Sequence, residues 1–169
     1  PTEGWQDDQP ATAVLTRASA LSGERLGRKV DIENGGVVAG APFYDAGGKS
    51  DLGRAYVFEQ PASGWEDMDV PTATLSYSAE DEFFYFGYDV NIEGDVIAVG
   101  IPEDGTVSMR RGSVAIFEKS GDNWTTATET ALLTADDGAV SDFFGNLMDI
   151  EGDRLVVGAW GDQDNGQRS

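Results

Sequence analysis

Cysteine and histidine are both absent from the 169 residues, and basic side chains are scarce, with 11 Lys and Arg against 31 Asp and Glu. Without thiol or imidazole there is no thiolate nucleophile, zinc finger, Ser-His-Asp triad or imidazole metal centre, so only oxygen ligands and carboxylate chemistry remain. The formal net charge of −20 repels phosphate backbones and anionic lipid, and the few cations are scattered singly. That argues against nucleic acid and membrane surfaces as partners and favours cations and basic partners. No apolar run approaches the ~20 residues of a membrane helix, so direct membrane insertion is not expected, and no signal-peptide pattern is present. Any such segment has been removed or lies outside the chain, which opens on Pro1 rather than Met, as a processed or partial sequence does. What is present suffices for a packed core: 40% hydrophobic and 10% aromatic residues, so the charge does not mean disorder.

The sequence repeats itself nearly three times, with a period of about 60 residues. Trp5, Trp65 and Trp124 each follow a polar turn, and about ten residues later come Ala13-Val14-Leu15, Ala73-Thr74-Leu75 and Ala131-Leu132-Leu133. Next match Leu26-Gly27, Phe86-Gly87 and Phe144-Gly145, then Asp31-Ile32-Glu33, Asn91-Ile92-Glu93 and Asp149-Ile150-Glu151. After a Gly-containing turn follow the apolar runs at Val37–Pro42, Val96–Pro102 and Leu155–Trp160, and two copies continue into Gly53–Glu59 and Gly112–Glu118. The units run approximately over 5–64, 65–123 and 124–169, the last truncated, and residues 1–169 read as one repeat segment.

Each copy holds four short runs rich in Val, Ile, Phe, Tyr and Thr, separated by Gly, Asp, Asn and Ser, which predicts strands and turns and no helix. Asn34-Gly35, Gly94-Asp95 and Gly152-Asp153 sit where a two-residue hairpin requires positive φ. The Val-Ala-Gly-Ala-Pro type of strand shows little alternation, as an inner strand covered on both faces does, whereas the Trp-to-Leu segments alternate like more exposed strands. The expected fold class is all-β: an incomplete β-propeller of four-stranded antiparallel blades, about 2.75 of them present. Counted from Trp5, that is the outer strand of one blade, two full blades and two strands of another. The natural protein is expected to continue beyond Ser169 with a Gly-x-Ala/Val-x-Val/Ile-Phe strand.

The pairing of Phe-Gly with a later Gly-Ala-Pro resembles the FG-GAP repeat of integrin α-subunit propellers and their microbial relatives. Phe86-Gly87, Phe144-Gly145 and Gly40-Ala41-Pro42 match it, while Leu26-Gly27, Gly100-Ile101-Pro102 and Gly158-Ala159-Trp160 are variants. The resemblance implies a secreted protein, extracellular or at the cell surface, that binds rather than catalyses, and it implies Ca²⁺. Here the sequence departs from the family pattern. The Asp-x-Asp-x-Asp-Gly-x-x-Asp loop expected between the first two strands of a blade is replaced by the short Asp-Ile-Glu turns, too small for a cage of six to eight oxygens. Their acids read as solvated turn residues and their Ile as core.

A second acidic cluster follows each Gly-Ala-Pro position: Asp45 and Asp51, Glu103 and Asp104, then Asp162, Asp164 and Asn165. Asp162-Gln163-Asp164-Asn165-Gly166 best resembles a Ca²⁺ loop, alternating oxygen side chains before a turn-forming Gly. The candidate metal ligands are therefore Asp45, Asp51, Asp162, Asp164 and Asn165, against the alternative of plain surface loops in an acidic chain; Arg110 and Arg111 weigh against the middle copy. In Phe83-Phe84-Tyr85-Phe86 most rings read as core, and Tyr85 and Tyr88 are the candidate partner-binding residues.

Three functions are carried forward. The first is an adhesion or interaction module whose loops bind a protein or glycan, with Ca²⁺ assisting. The second is a structural subunit whose blades pair with copies of itself to build a surface layer or filament. The weakest is part of a carbohydrate-active enzyme built on a carboxylate pair, disfavoured because the acids follow the repeat instead of breaking it.

Overall fold

The computed structural model describes residues 10–79, 82–105 and 110–163. Among them there are eleven strands and no helix, and so no helix long and apolar enough to cross a membrane. The first sheet is an antiparallel meander of β1 (Val30–Glu33), β2 (Gly36–Ala41), β3 (Arg54–Glu59) and β4 (Ala73–Ser76). The second repeats it with β5 (Val90–Glu93), β6 (Val96–Ile101), β7 (Ser113–Glu118) and, after the two-residue β8 (Ala127–Thr128), β9 (Ala131–Leu133). The third pairs β10 (Phe144–Glu151) with β11 (Arg154–Ala159). The chain is thus an all-β, incomplete propeller segment. A sheet takes three strands from one sequence copy and its fourth from the start of the next.

Local chemistry explains the elements. Asn34 and Gly35 both adopt positive φ (46° and 80°), whereas in Gly94-Asp95 and Gly152-Asp153 the leading glycine alone does. Both arrangements are favoured two-residue hairpin geometries, chosen by the order in which Gly appears. β2 and β6 lie second in their sheets with sheet neighbours on both sides, and the run Val38–Ala41 is wholly buried. The alternation expected of an outer strand is present in β4, whose Ala73 and Leu75 are buried while Thr74 and Ser76 are half-buried. Trp65 and Trp124 stand in the loops leading to these outer strands.

One pairing is not visible in the sequence. β4 also pairs in parallel with β8, Leu75 opposite Ala127 and Ser76 opposite Thr128, which makes β8 a fifth strand of the first sheet. The same hand-over recurs one repeat earlier, where Leu15 bridges in parallel to Met68 and Thr16 N donates to Met68 O at 2.8 Å. β4 is therefore held by its own sheet and by a loop of the next copy.

The largest core cluster lies between the first two sheets: Val38, Val57 and Leu75 from one side, Phe86, Val90, Ile92, Ile97, Val99 and Phe117 from the other. A smaller one joins the second and third sheets through Ala98, Val114 and Met148. Burial of this kind contributes about 1.5–3 kcal/mol for each large apolar side chain.

Candidate functional site

The recurring residues build the joints between sheets. Phe86 is fully buried, its ring edge-on to Phe117 with centroids 6.0 Å apart. Gly87 follows at φ 88°, and a Cβ placed there would lie 2.4 Å from the Arg54 carbonyl oxygen. Opposite it, a Cβ on Gly40 would stand 2.0 Å from the Gly87 carbonyl oxygen. The next joint repeats this with Gly100, whose Cβ would meet Gly145 O at 2.1 Å. Phe-Gly and Gly-Ala-Pro are thus two halves of one close backbone contact.

In the first two copies the Asp-Ile-Glu acids do more than sit in solvated turns, which corrects the sequence expectation there. Asp31 Oδ2 accepts from Ile92 N at 2.9 Å, Glu33 Oε2 from Gly94 N at 2.5 Å and Glu93 Oε1 from Gly152 N at 3.4 Å, all across joints. Asp89, 1% exposed, accepts from Met148 N of the third sheet at 2.5 Å and pairs with Lys29 Nζ, just before β1, at 3.1 Å. The sequence signal that could have exposed this is the phase of the acids: their partners lie one repeat away. Asn91 at the Asp31 position is buried with Oδ1 unpartnered. The Ile expectation holds for Ile92, 4% exposed, while Ile32, on the outward side of the first sheet, is 64% exposed.

The joints leave two faces. On one, the loops after β2 and β6 meet the segments preceding β5 and β10. Asp45 Oδ1 accepts from Asp51 N at 2.8 Å, and Phe83 N and Tyr85 N donate to the carbonyls of Ser50 and Asp51, each at 3.0 Å. Tyr85, half-buried at φ 55°, lies edge-on to Phe43 with centroids 5.4 Å apart. Burial, then the charges of Asp51 and Glu103, push its hydroxyl above the usual tyrosine range. Burial and the Asp45 charge raise the Asp51 carboxyl, against the Tyr85 hydrogen bond and Arg25. Glu103 is raised by burial too, opposed by its ion pair with Arg110. Tyr88 lies under the Arg28 guanidinium, 3.5 Å from ring centroid to Cζ, while Arg28 Nη1 donates to the Tyr88 carbonyl at 2.7 Å. Tyr85 and Tyr88 thus share a face, and each is engaged with neighbours while half-exposed.

As a metal set, the described residues supply Asp45 and Asp51 together and Asp162 apart from them; Asp164 and Asn165 lie outside the described residues. Among the described residues no three carboxylates converge, and Asp45 already accepts a backbone N–H. Two carboxylates in this arrangement do not make a cage for Ca²⁺, which takes six to eight oxygens. Asp104 is committed elsewhere: its Oδ2 accepts from the Tyr77 hydroxyl at 3.0 Å, which with burial pushes that phenol well above its usual range.

On the opposite face the hairpin tips and the loops after β3 and β7 enclose a cleft of about 380 Å³ at the joint of the first two sheets. Its walls include Glu33, Asn34, Glu59, Gln60, Asp95, Lys119, Asn123 and Trp124. Lys119 Nζ sits 3.1 Å from Glu59 Oε1 and 6.0 Å from the Trp124 ring centroid, and the Trp124 N–H donates to both Glu59 oxygens at 3.3 Å. Sequence reasoning missed this cleft because its walls come from four segments widely separated in the chain, which only the fold brings together.

The family model of the FG-GAP repeat matches residues 11–58 and 127–169, together more than half of the chain. The matched stretches contain Leu26-Gly27 with Gly40-Ala41-Pro42, and Phe144-Gly145 with Gly158-Ala159-Trp160; of these, Gly40 and Gly145 each form one half of a sheet joint. The chain belongs to the FG-GAP repeat family.

Proposed function

We propose that this chain is a non-catalytic interaction module, extracellular or at the cell surface, that binds a protein or glycan through its loops. One observation carries the reading. The residues that recur from copy to copy are committed to the joints, while those that differ lie in the loops on the two faces. Residues 46–52 and 105–111, between the shared Asp and Gly, have no residue in common at matching positions, and residues 60–72 and 119–130 share only the repeat Trp (Trp65, Trp124) and the closing Thr (Thr72, Thr130). A rigid repeat scaffold with variable loops is the usual arrangement for recognition. Tyr85 and Tyr88, with Phe43 and Arg28 beside them, supply the residue types that dominate binding hot spots. Ca²⁺ is an accessory to this reading, with Asp162, Asp164 and Asn165 as its proposed ligands, and is tested by a rise in melting temperature with Ca²⁺ and not with Mg²⁺.

The test is binding of the labelled chain to arrays of extracellular proteins and glycans, beside Tyr85→Ala and Tyr88→Ala variants of unchanged melting temperature. Selective binding weakened at least tenfold by either variant is expected; binding indifferent to both removes these tyrosines from the site. Turnover of a glycan that binds overturns the non-catalytic part.

A second reading, self-assembly through open sheet faces, is favoured by the apolar residues left at the arc's two ends. Ile32 is 64% and Val156 70% exposed, whereas their counterparts inside the joints, Ile92 and Ala98, are 4% and 0% exposed. Sedimentation over a range of concentrations decides it: a constant monomer mass ends that reading.

A further inference from the structure

The cleft at the joint of the first two sheets has a polar inventory of a particular kind. Glu59 is neutralised by Lys119, and Glu33 accepts from Gly94 N at 2.5 Å and from Asn34 Nδ2 at 2.8 Å. These two carboxylates are therefore held in place, and with Asp95 beside them the lining has three carboxylates against one lysine, rich in hydrogen-bond acceptors. Around them stand three carboxamides, Asn34, Gln60 and Asn123, each both donor and acceptor, and the lysine donates. Ile92 and Trp124 close the cleft from beneath as nearly buried side chains. A ligand matched to this lining needs closely spaced hydrogen-bond donors that can also accept, and no negative charge, which describes the hydroxyls of a neutral sugar ring. The volume of about 380 Å³ lies within the range of small-molecule sites.

Both walls are fixed without a ligand. Glu33 ties the first hairpin to the second through Gly94 N, and Glu59 ties β3 to the loop after β7 through Trp124 N and Lys119. The carboxamides stand on these anchored turns, so little loop ordering opposes binding.

We propose that this cleft is a saccharide subsite taking one neutral sugar unit of a glycan. The proposal rests on the interaction-module reading and names the ligand class for one face. The experiment titrates the chain with maltohexaose, cellohexaose, mannohexaose and chitohexaose, and separately with an oligolysine peptide, by calorimetry. Asn123→Ala and Gln60→Ala, both exposed loop residues, are carried alongside with melting temperature as the fold control. At least one neutral hexasaccharide is expected to bind, and the double variant is expected to weaken it tenfold or more with its melting temperature unchanged. Binding that survives the double variant overturns the cleft assignment and leaves the module reading intact. Silence across the four sugars, or oligolysine binding lost in the double variant, overturns the saccharide assignment; protein binding through the Tyr85 face then still supports the module.

Discussion

The joint between the first and second sheets and the outward side of the first sheet carry the same sequence positions in different company. At the joint, Tyr77 and Phe84 pack edge to face, ring centroids 5.3 Å apart. One repeat earlier those positions hold Arg17 and Glu24, an ion pair at 2.5 Å with Glu24 only 3% exposed. Glu24 Oε1 and Arg17 Nε are left without partners, although Arg17 also lies 5.4 Å from the ring centroids of both Tyr44 and Tyr56. Burial among these groups pushes the Tyr56 hydroxyl up to about 12. The glycines differ in the same way: a Cβ on Gly87 would strike the Arg54 carbonyl, whereas one on Gly27 meets nothing within 4 Å. The backbone frame is therefore set by the repeat, while the side chains that fill it differ from copy to copy.

The largest expected effect separates steric lock from backbone conformation. Gly27 and Gly87 share nearly the same φ, 83° and 88°, so an alanine at either pays the same left-handed strain of about 1–2 kcal/mol. Gly87→Ala adds a backbone collision and is expected to cost at least about 4 kcal/mol in denaturant unfolding, with Gly27→Ala near the strain alone. Equal losses would mean that the joint glycines serve only their turns.

Next comes the ion pair. Arg17→Ala leaves a buried, uncompensated carboxylate and is expected to cost about 3 kcal/mol, whereas Arg17→Tyr with Glu24→Phe, copying the joint, should match or exceed the parent. A parent more stable than the double variant would show that the charged pair belongs to its setting.

The smallest effect is electrostatic. Asp51 and Glu103 both have carboxyls raised by burial, so the folded state holds their protons more tightly than the unfolded chain does. Their charged forms therefore cost stability above the raised values, and the cost vanishes as pH falls toward about 4. Asp51→Asn should melt slightly higher than the parent at pH 7 and converge with it near pH 4. A gain independent of pH would assign the effect to packing.

Much of this frame was legible in the sequence because it is local or recurs. Alternation in Ala73–Ser76 and the turn residues Asn34-Gly35 act within a few residues of themselves, and the Phe-Gly pairs, though they act across a joint, show by recurring in phase. The hand-over of β4 to β8 was not legible: Leu75 and Ala127 face each other across a whole repeat, and nothing in Ala127-Thr128 looks like a strand. The cross-joint acids hid for the same reason, since Asp31 bonds a backbone N–H, which leaves no complementary side chain to read. The cleft depended on both, being walled by turns that those acids hold together.

The double grip on β4 bears on how the molecule meets force. A strand at a free sheet edge peels away one hydrogen bond at a time. β4 runs antiparallel to β3 on one side and parallel to β8 on the other, with Thr74 N also donating to Thr126 Oγ1 at 3.1 Å. Pulling β4 out along its own length therefore means shearing both seams together, so that strand is held by more than a free edge would hold it.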